Sequence, residues 1–275
     1  MIVARDLTPS MTAGIIRENI SGIITEVGGR TSHSAILARA LEIPAVLSID
    51  NITKELIDGE VVIVDGTDGS VIASPGSEEV EKYRELKKSF DDEKKELLKL
   101  AGKPTVTADG RRVELLCNIG KPDDCALVIE RDGEGVGLFR TEFLYMDSKE
   151  QPGEEQQFEA YKKAAMTLKG KPVTIRTLDV GGDKDIPYLG LEKEDNPFMG
   201  FRAVRYCIKN QDLYKTQLRA LMRASAFGDI RIMIPLVTCV EEVRAVKKLV
   251  AEIASELDQN GVAYNKDIKV GVMME

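Results

Sequence analysis

The carboxyl-terminal part of the chain, from residue 104 to residue 275, alternates short apolar runs with longer segments of helical periodicity. Such alternation is typical of parallel strands joined by crossover helices. We predict five strands here, at Val113–Cys117, Val136–Phe139, Val173–Thr177, Ile230–Pro235 and Lys269–Met274. We predict helices between them, at Asp123–Arg131, Glu154–Leu168, Phe201–Ala226 and Val240–Asp258. The pattern indicates an α/β fold, and it fits both an open doubly wound sheet and a closed barrel.

Charged side chains follow these predicted strands directly. They lie in Gly137–Leu144, Thr174–Lys184 and Gly271–Glu275, and a fourth such stretch, Asn196–Arg202, precedes a predicted helix. This placement favours a barrel, because barrel enzymes carry their sites at the carboxyl ends of the strands. Arginines that converge there suit a small anionic substrate, since a guanidinium grips phosphate or carboxylate oxygens with a planar fork. A carboxylate among them suits Mg²⁺, which fits between it and a phosphate. Each arginine taken alone could instead be an ion-pair residue.

Residues 1–76 have the pattern of a smaller mixed α/β unit. Thr8 and Pro9 are typical of the start of a short helix. We predict a strand at Gly22–Glu26, a helix over residues 32–41 and a strand that starts at Pro44. The runs 60–64 and 70–73 flank a turn rich in Asp and Gly, which predicts a β-hairpin.

The only histidine of the chain, His33, lies between a Gly-Gly pair and the apolar positions of the predicted helix. A glycine-rich turn lets backbone amides point at a ligand, and a helix start adds unpaired N–H groups and the positive end of the helix dipole. Together these features form an anion site. An imidazole placed there could accept a phosphoryl group, or His33 could simply begin a helix.

A highly charged segment separates the two parts of the chain. Glu78–Leu100 is dense in Glu, Lys and Asp, with a narrow apolar stripe at helical spacing, and Gly102 and Pro104 end it. We interpret it as a solvated helix that links two domains. A partner-binding or coiled-coil helix is the alternative.

Composition excludes several classes of protein. The formal net charge is −8 and the pI about 5.1, which argues against general nucleic-acid binding. No apolar stretch is long enough to insert into a membrane, and the amino terminus lacks a signal-peptide pattern. The four cysteines show no metal-binding spacing, so we predict reduced and mostly buried thiols in a cytoplasmic protein. They are Cys117, Cys125, Cys207 and Cys239.

The run GGRTSHSAILARALEIPAV resembles the phosphohistidine motif of the PEP-utilising enzymes, a family that includes enzyme I of the bacterial sugar phosphotransferase system, pyruvate phosphate dikinase and PEP synthase. Its Gly-Gly-Arg-Thr-Ser-His form is similar to enzyme I in particular. The four stretches named above also resemble the PEP-binding domain of enzyme I, in the same order. A dikinase fits less well, because its histidine motif usually differs around Arg-Thr-Ser and no nucleotide-binding segment is present.

The resemblance implies an architecture. Residues 1–76 would form a small swivelling phosphohistidine domain, residues 77–103 a helical linker, and residues 104–275 the amino-terminal part of an incomplete (β/α)8 TIM-type barrel that binds phosphoenolpyruvate (PEP). Nothing in the sequence corresponds to the family's subdomain that docks the carrier protein HPr, and a full barrel would need eight strands. We therefore expect the chain to be a fragment of a longer protein.

The resemblance also implies roles for single residues. His33 would be the residue that is phosphorylated, and Arg140 and Arg176 would bind the phosphate of PEP. The remaining family positions would have lesser roles: Arg202 as an assisting arginine, Glu275 as a Mg²⁺ ligand, Thr12 as the residue that orients the His33 ring, Lys184 as a candidate ligand and Arg39 as a weaker candidate.

The implied activity is that of a phosphotransferase. It would move the phosphoryl group of PEP to His33 and then to HPr, which is the first step of the sugar phosphotransferase system. The full-length family implies a homodimer. Two alternatives are a fragment of a related PEP-utilising enzyme and a non-catalytic module that only binds PEP.

Overall fold

The structure, a computed structural model, describes residues 1–7, 11, 19–29, 32–146, 148–182 and 186–275, and the side chains of residues 33, 36 and 40 lie outside the description. The chain divides into two compact units, Met1–Leu100 and Ala101–Glu275. The short helix predicted after Thr8 falls outside the described residues.

The first unit contains a three-stranded parallel sheet and a hairpin. Its strands are β1 (Ile2–Ala4), β2 (Ile23–Thr25) and β3 (Ala45–Val46), in the order β1-β2-β3, followed by the antiparallel pair β4 (Val62–Asp65) and β5 (Ser70–Ala73). Among the described residues of this unit, the helices α1 (His33–Leu41) and α2 (Ile52–Glu55) follow β2 and β3, respectively. Leu7, Ile23 and Ala38 form the centre of a small apolar core. The predicted strands, the helix and the hairpin of this unit are therefore confirmed.

The charged helix α3 (Ser77–Leu98) also belongs to the first unit. At its start, the Glu79 carboxylate accepts a hydrogen bond from the Gly76 N–H at 3.0 Å. An ion pair between Lys94 and Glu42 ties it to the end of α1. None of its residues is buried, and its apolar positions Leu86 and Phe90 are exposed.

The second unit contains a five-stranded sheet that is parallel throughout. The strands are β6 (Cys117–Ile119), β7 (Val136–Arg140), β8 (Val173–Arg176), β9 (Ile230–Val237) and β10 (Lys269–Met274). The α-helices are α4 (Cys125–Glu130), α5 (Glu142–Met146), α6 (Glu154–Thr167), α7 (Ala203–Lys209), α8 (Gln211–Ala224) and α9 (Val240–Gln259). Single 3₁₀ turns occur at Pro122–Asp124, Pro187–Leu189, Pro197–Met199 and Ser225–Phe227. No helix within the described ranges has both the length and the apolar content needed to cross a membrane.

The order of the strands in space follows their order in the chain, from β6 at one edge to β10 at the other. Each neighbouring pair is parallel. The middle of the sheet is fully buried, for example at Val136, Val173 and Ile232. Because parallel strands run in one direction, their carboxyl ends share one edge of the sheet, and the residues that follow β7 and β8 meet there.

Two predicted elements of this unit are wrong in their bounds. The first strand runs over Cys117–Ile119 instead of Val113–Cys117, because the earlier apolar residues do not enter the core: Leu115 is 55% exposed. The Leu115 N–H donates to the Glu134 side chain at 2.9 Å instead of to a neighbouring strand. The long helix predicted over residues 201–226 is two helices, α7 and α8, which are interrupted at Asn210, where ψ is 64°.

Candidate functional site

Two arginines lie side by side at the carboxyl edge of the second unit's sheet. Arg140 is the last residue of β7 and Arg176 the last of β8, and the parallel ladder pairs them directly. The Arg140 side chain is exposed, and it has no hydrogen-bond or ion-pair partner among the residues that the structure describes. A free guanidinium at a strand end keeps all its N–H donors for an anionic ligand.

Arg176 is instead held by two carboxylates. Its side chain is 14% exposed, its Nη2 lies 2.8 Å from Glu142 Oε1, and its Nη1 lies 2.8 Å from Asp179 Oδ2. The Met273 sulfur contacts Nη1 at 3.9 Å. The Arg176 Nε is buried without a hydrogen-bond partner. The carboxylates therefore fix the plane of the guanidinium, while one of its donors stays unused.

Asp179 connects Arg176 to a third arginine. Its Oδ1 lies 2.8 Å from Arg202 Nη2 and accepts a hydrogen bond from Arg202 Nε at 3.0 Å. The Asp179 backbone carbonyl accepts a further bond from Arg202 at 3.3 Å. Arg202 immediately precedes α7, and its side chain is 11% exposed. The structure thus brings together Arg140, Arg176 and Arg202, three of the residues predicted for the site.

Glu142 lies below this arginine cluster. It begins α5, and its side chain is 9% exposed. Burial raises the pKa of the Glu142 carboxyl, although the Arg176 guanidinium beside it acts in the opposite direction. A buried carboxylate paired with an arginine fixes that arginine's position, since the pair can move only as a unit.

Glu275 is the final residue of the chain and is exposed. Its N–H donates to the Val237 carbonyl at 3.4 Å, which places it beside the carboxyl end of β9. The described residues contain no cluster of three or more His, Cys, Asp or Glu side chains that could hold a metal ion. The carboxylate of Glu275 is nevertheless the kind of oxygen ligand that Mg²⁺ takes together with substrate phosphate. Lys184 lies outside the described residues.

The first unit carries the second predicted site, at the start of α1. The Ser32 hydroxyl accepts a hydrogen bond from the Ala35 N–H at 3.3 Å, so Ser32 is the N-cap of α1. Gly28 has a φ of 124°, a region that side chains disfavour. His33 is the first residue of the helix, and its side chain lies outside the described part of the structure, as does Thr12. Arg39 lies in the last turn of α1 and is exposed.

Two family models match the chain. One, described as the PEP-binding domain of PEP-utilising enzymes, matches residues 94–275, and the other, described as their mobile domain, matches residues 1–69. The chain belongs to the PEP-utilising enzymes. This confirms the resemblance seen in the histidine motif and in the four charged stretches.

Curated relatives within this family have the name phosphoenolpyruvate-protein phosphotransferase. Those of Priestia megaterium, Geobacillus stearothermophilus and Bacillus subtilis (strain 168) are each 50% identical over all 275 residues of this chain. The match covers 48% of each of them, so the chain spans about half the length of these relatives. A solution NMR structure of Enzyme I is 52% identical to this chain, and the match covers 32% of this chain and 36% of the chain in that structure. Its TM-score of 0.31 supports no argument about the fold.

Sequence reasoning missed two residues that hold the arginine cluster of this family member, Asp179 and Glu142. Both lie in the stretches that follow predicted strands, and Asp179 follows Arg176 by three residues. A carboxylate close in sequence to a functional arginine was the available signal. The sequence could not show that the Asp179 carboxylate is shared between Arg176 and Arg202.

Proposed function

We propose that this chain transfers the phosphoryl group of PEP to His33 and from there to HPr, as the first step of the sugar phosphotransferase system. The observation that carries the proposal is the direct pairing of Arg140 with Arg176 at adjacent strand ends, with the first guanidinium free and the second fixed. The name of the matched relatives, phosphoenolpyruvate-protein phosphotransferase, supports the same reaction.

The proposal includes the finer architecture. Residues 1–76 act as the swivelling phosphohistidine domain, residues 77–103 as the linker, and residues 104–275 as part of a (β/α)8 barrel. The strictly sequential order of five parallel strands supports a barrel, because a doubly wound sheet reverses its strand order at a switch point. The exposed, highly charged α3 supports a linking role for residues 77–103.

The three arginines have different roles in binding PEP. Arg140 offers unpaired donors to the phosphate of PEP, and Arg176 offers its buried, unused Nε–H from a fixed position. Arg202 assists from the other side of Asp179. The transition state of phosphoryl transfer spreads negative charge over the equatorial oxygens, so cations held in place supply most of the stabilisation.

His33 accepts the phosphoryl group. A histidine of ordinary pKa, about 6.5, is largely neutral near pH 7 and can attack phosphorus. The start of α1 stabilises the charge on the phosphorylated ring through its free N–H groups and dipole. Thr12 orients the imidazole, and Lys184 contributes a further positive charge at the PEP site.

Mg²⁺ fits the donor chemistry available. Glu275 provides one carboxylate at the sheet edge, and the phosphate of PEP would provide further oxygen ligands. When bound, the ion neutralises charge on the phosphoryl group. The homodimer, the cytoplasmic location and the transfer to HPr remain predictions.

Intact-mass measurement after incubation with PEP and Mg²⁺ tests the proposal. Under mildly alkaline conditions that preserve phosphohistidine, the chain should gain about 80 Da, the mass of one phosphoryl group. His33→Ala should gain nothing, whereas Lys54→Ala, which alters an exposed residue of the same unit, should behave like the wild type. Binding of PEP without any mass gain would contradict phosphotransfer by this chain and leave a PEP-binding module.

A further inference from the structure

A buried glutamine lies beneath the arginine cluster. Gln217 is in the middle of α8, is 0% exposed, and has apolar buried neighbours on its own helix such as Leu218 and Leu221. α8 packs against α6 and against β9. A side-chain amide in such a place is tolerated only if its polar atoms find partners, because burial removes their water.

Two of the three partners of this amide lie just after the ends of β7 and β8, and the third lies on α6. Gln217 Oε1 accepts a hydrogen bond from the Leu178 N–H at 2.9 Å. Its Nε2 donates to Thr141 Oγ1 at 3.2 Å and to the Tyr161 hydroxyl at 3.2 Å. Thr141 directly follows Arg140, and Leu178 follows Arg176 by two residues. The Gln217 amide is thus hydrogen-bonded to residues that lie just beyond both arginines in the chain.

The network closes through Thr141. Its hydroxyl accepts from Gln217 and donates to the Arg176 backbone carbonyl at 2.9 Å. The Tyr161 hydroxyl in turn accepts from Gln217 and donates to Gln157 Oε1 at 3.0 Å. Every donor of the Gln217 amide is therefore used, and each hydroxyl it meets both accepts and donates once. A fully satisfied buried network of this kind specifies one arrangement of its members.

The pairing of strands β7 and β8 alone does not fully constrain the positions of Arg140 and Arg176. The pairing of β7 with β8 is irregular between Val136 and Phe139, and it resumes only for the last residues, where Arg140 faces Arg176. Beyond that pair the Leu178 N–H bonds to Gln217, and not to a strand. The Gln217 amide and the Thr141 hydroxyl thus continue the link between β7 and β8 past the two arginines, beside the ion pair of Arg176 with Glu142.

We propose that Gln217 is a positioning residue that sets the spacing of Arg140 and Arg176, and thereby the fit of this site to a phosphorylated, anionic substrate. The inference rests on the proposed function only for the identity of that substrate. Two guanidinium groups can grip one phosphate only when they stand at a definite separation, and small misplacement of binding groups is expensive in binding and rate.

The test compares two variants, each of which loses the hydrogen bonds of one buried side chain, at opposite ends of the sheet. Gln217→Met keeps a similar volume and removes the amide. Ser225→Ala removes a hydroxyl that donates to the Met222 carbonyl at 2.6 Å and accepts from the Asn265 N–H at 2.9 Å, near the amino end of β9. Urea unfolding of both variants shows how much stability each one loses.

Isothermal titration with PEP and Mg²⁺ should show roughly 10- to 100-fold weaker binding for Gln217→Met and unchanged binding for Ser225→Ala. Adding Thr141→Val to Gln217→Met should weaken binding little further, because both changes break the same link. Equal binding by Gln217→Met and the wild type would overturn the proposal.

A measurement without substrate separates this inference from the proposed function. The Nε–H resonance of Arg176 in ¹H–¹⁵N NMR spectra should shift in Gln217→Met and stay in place in Ser225→Ala. If the wild type binds no PEP, the proposed function fails, and the NMR comparison still decides the role of Gln217. An unshifted Arg176 resonance, together with an unchanged Arg140–Arg176 separation in a crystal structure of Gln217→Met, would overturn it.

Discussion

Arg176, the last residue of strand β8, forms an ion pair at 2.8 Å with Asp179, three residues further along the chain. The same carboxylate also pairs with Arg202 at 2.8 Å, and the Asp179 side chain is only 10% exposed. Asp179 is thus a negative charge placed inside a site that is proposed to bind an anion. The Asp179 carboxylate holds two arginines in fixed positions, although its negative charge also repels an anionic ligand.

This arrangement predicts the sign of a substitution. Simple charge counting says that Asp179→Asn should bind PEP more tightly, because one negative charge is lost. We expect the opposite, with PEP affinity reduced roughly 10-fold as the arginines lose their common anchor. We also expect a loss of about 3 kcal/mol in the free energy of unfolding, because a buried ion-pair network is broken.

Calorimetric titration with PEP and Mg²⁺ checks the affinity, and urea unfolding checks the stability. Asp229→Asn is the matched control, since Asp229 pairs with Arg231 at 2.8 Å near the amino end of β9. It should leave PEP affinity unchanged. Tighter binding by Asp179→Asn than by the wild type would show that repulsion outweighs positioning.

The two neighbouring arginines should differ in what they do for the fold. Arg140→Ala should change the free energy of unfolding by less than about 0.5 kcal/mol, because its exposed guanidinium has no partner among the described residues. Arg176→Ala leaves Glu142 and Asp179 without their shared cation and should cost about 3–5 kcal/mol.

Both arginine variants should lose PEP binding, and urea unfolding combined with titration separates the two effects. Arg244→Ala, which removes a surface arginine that is 75% exposed on α9, should change neither quantity. Equal stability of Arg140→Ala and Arg176→Ala would mean that the carboxylates around Arg176 contribute nothing to the fold.

Most elements of both units could be predicted from apolar periodicity. The strands that carry the arginines were predicted to within one residue, because β7 and β8 are short apolar runs that are buried in the middle of the sheet. The first strand of the sheet was misplaced, since the apolar Val113 and Leu115 remain exposed in the fold. Periodicity records which residues are apolar, and it does not show which of several apolar runs enters the core.

Arg140 and Arg176 were found because they lie at predicted strand ends, and Arg202 was found because its stretch resembles a known family. The roles of Asp179 and Gln217 were not found. Gln217 lies 41 residues beyond Arg176 in a helical segment, and only the packing of α8 beneath the sheet edge brings its amide to Thr141 and Leu178. Contacts of this kind depend on tertiary structure, and local sequence patterns do not show which distant residues meet.

Glu142 should give the second unit a measurable pH dependence. Burial raises the pKa of its carboxyl in the folded state, so the folded protein holds this proton to higher pH than the unfolded chain. The associated stabilisation is complete below the ordinary carboxyl pKa, about 4.3, and is lost as pH rises through the raised value. The difference in unfolding free energy between the wild type and Glu142→Gln should therefore fall with rising pH across this window.

Urea unfolding at a series of pH values measures that difference. The same comparison with Glu150→Gln, at an exposed position, should show no such trend. A difference that rises with pH would mean that the ion pair with Arg176 outweighs burial and lowers the pKa of Glu142.

The four cysteines should react with alkylating reagents in an order set by exposure. Cys239 is exposed, which corrects the expectation of mostly buried thiols for this residue, whereas Cys117 is half-buried and Cys125 and Cys207 are buried. Burial raises the pKa of the Cys125 thiol to about 11, and burial likewise raises the pKa of Cys207. Because the thiolate is the reactive form, both buried residues combine poor access with a low thiolate fraction near pH 8.

Iodoacetamide at pH 8, followed by intact-mass and peptide analysis, should therefore label Cys239 first and leave Cys125 and Cys207 unmodified until urea unfolds the second unit. In Cys239→Ser the fast phase should disappear. Rapid labelling of Cys207 in the folded protein would contradict this prediction. Cys207 lies on α7, and its thiol contacts the Leu178 carbonyl at 3.9 Å. Its exposure would mean that the segment after Arg176 opens in solution, which would also release the Leu178 N–H from Gln217.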